Sequence, residues 1–312
     1  MKKFFSVLIS VLILFCNASC KEEKPINLYI VDGAPTLAVA KIINDRTLNG
    51  REVNVNIVSG ADALNSAIIS GNADIIVMPV NNALKLYNND IKIKLLTVNI
   101  FGCLHIVGKS EKTTLEDFVN NEINLVGKTG TPDISLKYLL NTKGIEYSEE
   151  YKENAVTLKY IQNDTVVPSL KAGLINYALI GEPLVSKAMS KVGDLKPLIN
   201  IKEEWEEITN GKMYTQAGVV VTDNLIESDY DLVKELYNKL SANKNFVYEN
   251  VSTLNNIVPT KSALSSMEFT SEILDRCSLG SIIAKDIKSD IEFYLKSMGE
   301  NYNEGFIFNG QI

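Results

Sequence analysis

From residue 26 to about residue 200, short apolar runs alternate with stretches in which apolar residues recur every three or four positions. The runs at 28–31, 53–58, 74–77, 94–98, 123–126, 156–161 and 177–180 predict β-strands. The periodic stretches at 35–44, 61–70, 81–87, 134–141, 165–172 and 183–190 predict amphipathic helices. This alternation predicts α/β units with mostly parallel sheets, because a helix that carries the chain back aligns successive strands. After Gly211 the pattern changes. Residues 218–221 read as one buried strand and 227–298 as mainly helical, with the clearest periodicity at 229–243 and 284–297.

A weak internal repeat overlies this pattern. Ile26-Asn27-Leu28 is followed by Gly33-Ala34-Pro35, and Ile123-Asn124-Leu125 by Gly130-Thr131-Pro132 at the same offset. Each Pro stands at or near the start of a predicted helix, where its missing N–H costs nothing. Gly71-Asn72-Ala73-Asp74-Ile75-Ile76-Val77-Met78-Pro79 has a looser echo in Gly173-Leu174-Ile175-Asn176-Tyr177-Ala178-Leu179-Ile180-Gly181-Glu182-Pro183. The same order of elements occurs twice, which predicts two similar lobes. The strand near 218 predicts that the chain returns to the first lobe. The expected division is 26–102 with 217–312 in one lobe and 103–216 in the other, with hinge crossings at 101–107 and 215–220.

The N-terminus adds a destination. Met1-Lys2-Lys3, the apolar run 4–15 and Asn17-Ala18-Ser19-Cys20 predict a secretory signal over 1–19. The run is shorter than the roughly 20 residues that span a bilayer. Ala18-Ser19-Cys20 resembles a bacterial lipobox, although Asn17 stands where that motif prefers Leu. The resemblance implies lipid on Cys20, a tether over 20–25 and a membrane-anchored, extracytoplasmic protein; cleavage to a soluble secreted protein is the alternative. The formal net charge of −7 argues against a nucleic-acid partner, which calls for clustered Lys and Arg. With one His and four Cys, a His-rich zinc site is excluded, and no metal or cofactor is expected. Cys103 and Cys277 read as two buried free thiols, with a bridge between them as the alternative.

In open α/β sheets, ligands sit beyond the carboxyl ends of the strands. The segments predicted there are Asp32-Gly33-Ala34-Pro35-Thr36, Ser59-Gly60-Ala61, Met78-Pro79-Val80-Asn81, Lys128-Thr129-Gly130-Thr131, Asn163-Asp164 and Gly181-Glu182-Pro183. Free backbone N–H groups at such helix starts attract anions and polar ligands, although the same residue types also cap helices. The candidate ligand-binding residues are Asp32, Gly33, Ala34, Pro35, Thr36, Ser59, Gly60, Asn81, Thr129, Gly130, Thr131 and Glu182. Tyr214 and Gln216 join them from the expected return crossing, Tyr214 as a platform for a flat ligand. Trp205, within Glu203-Glu204-Trp205-Glu206-Glu207, reads as the apolar anchor of a charged helix. None of the three arginines, Arg46, Arg51 and Arg276, falls in a predicted cleft loop, so no bidentate fork for a carboxylate is expected. Asp32 and Glu182 instead bring negative charge that an amino group would pair with; a turn cap and a helix N-terminal carboxylate are the structural alternatives.

Asp32-Gly33-Ala34-Pro35-Thr36-Leu37-Ala38, the Gly71-to-Asn81 segment and Gly181-Glu182-Pro183, in that order, resemble the nitrate/sulfonate/taurine and thiamine-precursor group of periplasmic binding proteins. The resemblance runs from about residue 27 to residue 221. It implies a type II periplasmic binding protein fold: a monomer of two lobes closing on a small molecule and delivering it to the permease and ATPase of an ABC importer. It implies a sulfonate, nitrate or taurine, or a pyrimidine thiamine precursor whose amino group would meet Asp32 or Glu182.

The same fold carries enzymes of menaquinone and pyrimidine pathways, so fold alone does not decide function. His105, in the apolar run Leu104-His105-Ile106-Val107, reads as a strand residue and not a general base. Cys103 and His105 would share a strand face, but no third orienting group accompanies them. No Walker A or G-x-G-x-x-G motif occurs. The expectation is a binding protein and not an enzyme, with an enzyme on this fold, or a surface receptor without transport, as the alternatives.

Overall fold

The computed structural model describes residues 24–58 and 60–311. The expected signal, the lipidation site Cys20 and the candidate Ser59 lie outside the described residues. No helix among the described residues is long and apolar enough to cross a membrane.

The strands form two sheets. The first holds β1 (Ile26–Val31), β2 (Thr47–Leu48), β3 (Arg51–Val58), β4 (Ile75–Pro79) and β5 (Ile93–Ile100). The second holds β6 (Leu104–Gly108), β7 (Glu122–Val126), β8 (Tyr147–Ser148), β9 (Val156–Ile161), β10 (Ala178–Gly181) and β11 (Lys196–Asn200). The chain then returns to the first sheet with β12 (Ala217–Thr222) and β13 (Leu279–Ile283).

The strand orders are β13-β5-β12-β4-β1-β3-β2 and β11-β6-β10-β7-β9-β8. Within them, β5-β12-β4-β1-β3 and β11-β6-β10-β7-β9 have one design. The repeated Ile-Asn-Leu triplets fall on the equivalent strands β1 and β7, and the two Gly-led repeats lead into β4 and β10.

The expectation of mostly parallel sheets is corrected. Among these strands, parallel pairing is confined to β3-β1-β4 and to β8-β9-β7-β10. β12 runs antiparallel between β4 and β5, and β6 antiparallel between β10 and β11. Each of these strands enters its sheet straight from a crossing, so it lacks the helical return that aligns parallel neighbours.

The crossings are shorter than expected on one side and earlier on the other. The chain leaves the first sheet after Ile100 and joins the second at Leu104; it leaves the second after Asn200, forms the helix Ile201–Ile208, and re-enters at Ala217. Residues 104–107 and 217–220 therefore belong to strands. Gly102 has φ 124°, and a Cβ there would lie 2.6 Å from Lys202 Cβ and 3.1 Å from Tyr214 Cδ1. Only glycine fits that turn without strain. The two crossings are tied together by Gln216: its Oε1 accepts from Cys103 N at 2.9 Å, and its own N donates to Ile100 O at 3.1 Å.

One apolar cluster runs continuously beneath both sheets and includes Met78, Leu95, Ile106, Leu125, Trp205 and Tyr294. At its centre Trp205, Tyr214 and Tyr294 are fully buried, with ring centroids 5.3–5.6 Å apart. The expected helix 35–44 divides into Ala34–Leu37 and Ala40–Asp45. The region 227–298 contains the helices Tyr230–Glu249, Ser271–Cys277 and Lys288–Ser297, but also β13, which the helical reading overlooked. Ser278, at φ 47°, ends the helix before β13 in a left-handed turn. Gly280 then lets the strand back onto the Phe101 ring, where a Cβ would stand 2.7 Å from Cε2.

Candidate functional site

The carboxyl ends of β1 and β10 meet across the seam between the sheets. A cavity of about 430 Å³ opens there. Asp32 and Gly33 line it from the first sheet, together with Ala263, Leu264 and Met267 from the C-terminal segment. Val126, Pro132, Asn163, residues 179–184 and Lys187 line it from the second. Gly33 has φ 128°, and a Cβ there would lie 3.7 Å from Pro183 Cδ, so the Gly-x-Pro start of one half abuts the Glu-Pro start of the other. A larger hollow of about 620 Å³ lies elsewhere, lined by Tyr87, Lys94, Asp223 and Tyr302 of the first sheet's half.

Both carboxylates of the sequence reading reach the cavity. Asp32 accepts from the Ser262 hydroxyl and, at 2.7 Å, from Ala263 N. It thereby pins the segment that forms one wall, some 230 residues away in sequence. Glu182 has a fully buried side chain. Its Oε1 accepts from Arg276 Nε at 2.5 Å and from Ser186 Oγ at 2.8 Å, and its Oε2 from Ser186 N at 3.2 Å. Arg276 Nη2 also donates to Ser186 Oγ at 2.9 Å. An arginine therefore does stand at the seam, contrary to the sequence reading. It comes from the helix Ser271–Cys277, its Nε–Nη2 edge is committed to Glu182 and Ser186, and it does not line the cavity.

A second polar group lies deeper in the seam. Thr131 Oγ1 donates to Asn81 Oδ1 at 3.3 Å, joining the first turns of the helices Thr131–Thr142 and Val80–Asn88. Asn81 Nδ2, Thr36 Oγ1 and Thr215 Oγ1 are buried without a hydrogen-bond partner among the described residues. Thr215 adjoins Gln216, whose carbonyl accepts from Val80 N at 3.1 Å. Leaving a buried polar group unpaired costs about 1–3 kcal/mol, which a water or a polar ligand atom would offset.

The other expected site residues, Thr36, Asn81 and Thr131 among them, do not line the cavity. Ala34 is packed in an apolar cluster with Leu37 and Ile100, and Pro35 opens the same helix behind Gly33. Gly60 starts the helix Ala61–Ile69 with an extended backbone that any residue adopts. Thr129 is exposed at φ 62°, its N donating to Asp133 Oδ2 at 2.8 Å, and Gly130 N donates to Gly127 O at 3.1 Å. Tyr214 was expected to stack on a ligand. It is instead wholly buried in the aromatic core with its hydroxyl 2.5 Å from Ser135 Oγ, and burial raises its pKa. Gln216 braces the crossings. Lys128 is paired with Glu149 at 2.7 Å. The sequence reading missed Val126, Pro132, Lys187, Arg276 and the wall 263–267. No local pattern marks that wall, because Asp32 recruits it from the far end of the chain.

Cys103, His105 and Cys277 lie behind Glu182. Both cysteines are buried free thiols. Burial pushes the Cys103 thiol up to about 11 and Cys277 well above its ordinary value. His105 is held below its usual pKa, chiefly by burial, and its Nε2 faces the Arg276 carbonyl at 3.5 Å. Thiols held this far above their ordinary range offer little thiolate to act as a nucleophile. Among the described residues no cluster of His, Cys, Asp and Glu has the geometry to hold a metal ion.

No protein-family profile matches the chain, and no curated protein matches it. Solved structures do. An ABC transporter protein from Parabacteroides distasonis is 23% identical, with 93% of this chain and all of that one covered at a TM-score of 0.74. The periplasmic aliphatic sulphonate-binding protein SsuA of Escherichia coli is 11% identical over 88% of this chain and 92% of its own, at 0.62. The periplasmic nitrate-binding protein NrtA of Synechocystis is 12% identical over 88% and 81%, also at 0.62. At these identities the likeness concerns the fold: this chain has the two-lobed type II fold of periplasmic binding proteins, with two hinge crossings.

Proposed function

From a chain with this fold and a cavity walled by both sheets, we propose an extracytoplasmic binding protein that carries a small polar molecule to an ABC importer. The observation that carries the reading is the cavity itself. It lies at the strand ends where α/β sheets bind ligands, and about 430 Å³ falls within the usual range for small-molecule pockets. In this reading, residues 26–102 with 217–312 form one lobe and 103–216 the other. The lobes turn about the crossings near Gly102 and Gln216 and enclose the ligand in the cavity beside the Gly33–Pro183 contact. Asp32, Gly33 and Glu182 form the ligand's surroundings, and Asn81, Thr36, Thr131 and Thr215 supply the deeper polar contacts. The sequence at 1–20 supports export and lipid attachment at Cys20, with the importer's permease and ATPase as partners and a monomer as the working form. Sulfonates, nitrate, taurine and aminopyrimidines are the ligand classes that the sequence resemblance suggests.

Thermal denaturation of residues 21–312 against those compounds tests the reading. The expected result is a saturable rise in Tm with one class, and recovery of that compound unchanged. Recovery of a chemically altered compound would favour an enzyme, and no rise with any class would count against the proposed ligands. The mass of the N-terminal peptide from the cell envelope tests lipidation separately: diacylglycerol on Cys20 is expected, and an unmodified N-terminus would refute the anchor.

A further inference from the structure

We infer that the cavity selects a molecule with a protonated amine and an apolar body, and rejects the oxyanions named for the sulphonate- and nitrate-binding proteins that share the fold. The inference rests on the proposed binding function and deepens it.

The ionisable groups lining the cavity are Asp32, Glu182 and Lys187. Glu182 is matched from behind by Arg276, whose Nε and Nη2 are spent on Glu182 and Ser186. Arg276 thus cancels one negative charge and adds no free positive one. Asp32 has no such partner. Its carboxylate accepts only a hydroxyl and a backbone N–H, and no ion pair to it occurs among the described residues. Each of its oxygens keeps a lone pair for a further donor. Lys187 is exposed at the rim, where water screens it. The nearby Lys128 and Lys137 are paired with Glu149 and Asp133. The wall therefore presents one uncompensated carboxylate and no buried cation.

A sulfonate or nitrate entering this cavity would lose its hydration and meet negative charge. An ammonium would meet Asp32, and a carboxylate with two fixed donors is already oriented to receive it. The rest of the surface suits a carbon skeleton: Val126, Pro132, Pro183, Leu184, Leu264 and Met267 are apolar. Both requirements are met by a compact amine with a ring or branched alkyl group.

Isothermal titration of residues 21–312 with a matched series tests this: benzylammonium, benzyl alcohol and benzenesulfonate differ mainly in the charge of one head group. The expected order is benzylammonium tightest, at least tenfold over the alcohol, with no binding of the sulfonate. Asp32→Asn should erase the tenfold preference of the amine over the alcohol. Tighter binding of the sulfonate, or equal affinity for all three, would overturn the inference and leave the binding function intact. The wild-type series decides even if Asp32→Asn loses the 263–267 wall and unfolds. Should none of the three bind, mass spectrometry of the compound co-purifying with the protein decides: an amine supports the inference, and an anion overturns it alone. The absence of any co-purifying compound would count against the binding function and the inference together.

Discussion

Arg276 donates to Glu182 at 2.5 Å although the two residues are 94 positions apart and belong to opposite sides of the seam. Glu182 follows β10 of the second sheet, while Arg276 ends a helix packed on the first. The Glu182 side chain is fully buried and that of Arg276 is 22% exposed. Removing the guanidinium leaves a buried carboxylate without its counter-charge, and breaking a buried pair in this way costs about 3–5 kcal/mol. Arg276→Met should therefore lower unfolding stability by about 3 kcal/mol, the lower end because Arg276 keeps some solvent. Adding Glu182→Gln should recover part of the loss. Urea unfolding of the wild type and the two variants checks this, and wild-type stability in Arg276→Met would show that the pair contributes nothing.

The outward crossing depends on Gly102. Gly102→Ala places a Cβ 2.6 Å from Lys202 Cβ and retains φ 124°. Crowding of about 1–3 kcal/mol adds to backbone strain of similar size, so a loss of about 2–6 kcal/mol is expected. Gly127→Ala, at φ 83° with nothing within 4 Å, should cost about 1 kcal/mol. Equal costs at the two positions, measured by denaturant unfolding, would mean that the crossing is not tightly packed.

His105 predicts a pH dependence. Burial lowers its pKa below the ordinary 6.5, so the unfolded chain takes up a proton before the folded one does. Its contribution is fully present above the unfolded value and is lost as pH falls through the lowered folded value. Unfolding midpoints measured from pH 7.5 down to pH 5 should fall less steeply in His105→Gln than in the wild type. Identical slopes would show that the imidazole is not held neutral.

Tyr214→Phe separates core from site. The change removes the hydroxyl bonded to Ser135 and should cost about 1–2 kcal/mol. Because Tyr214 does not line the cavity, ligand affinity should stay within about twofold. A binding defect without a stability defect would return Tyr214 to the site.

What was legible in the sequence was local. The strand–helix alternation and the Gly-x-Pro repeats express contacts between near neighbours, and they placed β1, β4, β7 and β10 and put Asp32, Gly33 and Glu182 at strand ends. The twofold strand order that the repeats suggested is present in the sheets. What escaped depends on distant parts of the chain meeting. Arg276 lies in a helix with no motif, and its role follows from facing Glu182. Met267 and Leu264 become a wall only because Asp32 holds residues 262 and 263. Tyr214 looked like a ligand platform because it precedes a crossing, yet the helix Ile201–Ile208 and the C-terminal helix close over it. β13 was hidden by Gly280, whose value lies in its contact with Phe101.

A small molecule is proposed to sit in the cavity that Asp32, Glu182 and Met267 line. Native mass spectrometry of gently purified residues 21–312, beside Met267→Trp, tests it most directly. The indole would fill the cavity from the C-terminal wall. The account predicts a one-to-one adduct on the wild type that is lost on denaturation and absent from Met267→Trp, with both proteins folded. An adduct of equal occupancy on the two would place the ligand elsewhere and contradict the account.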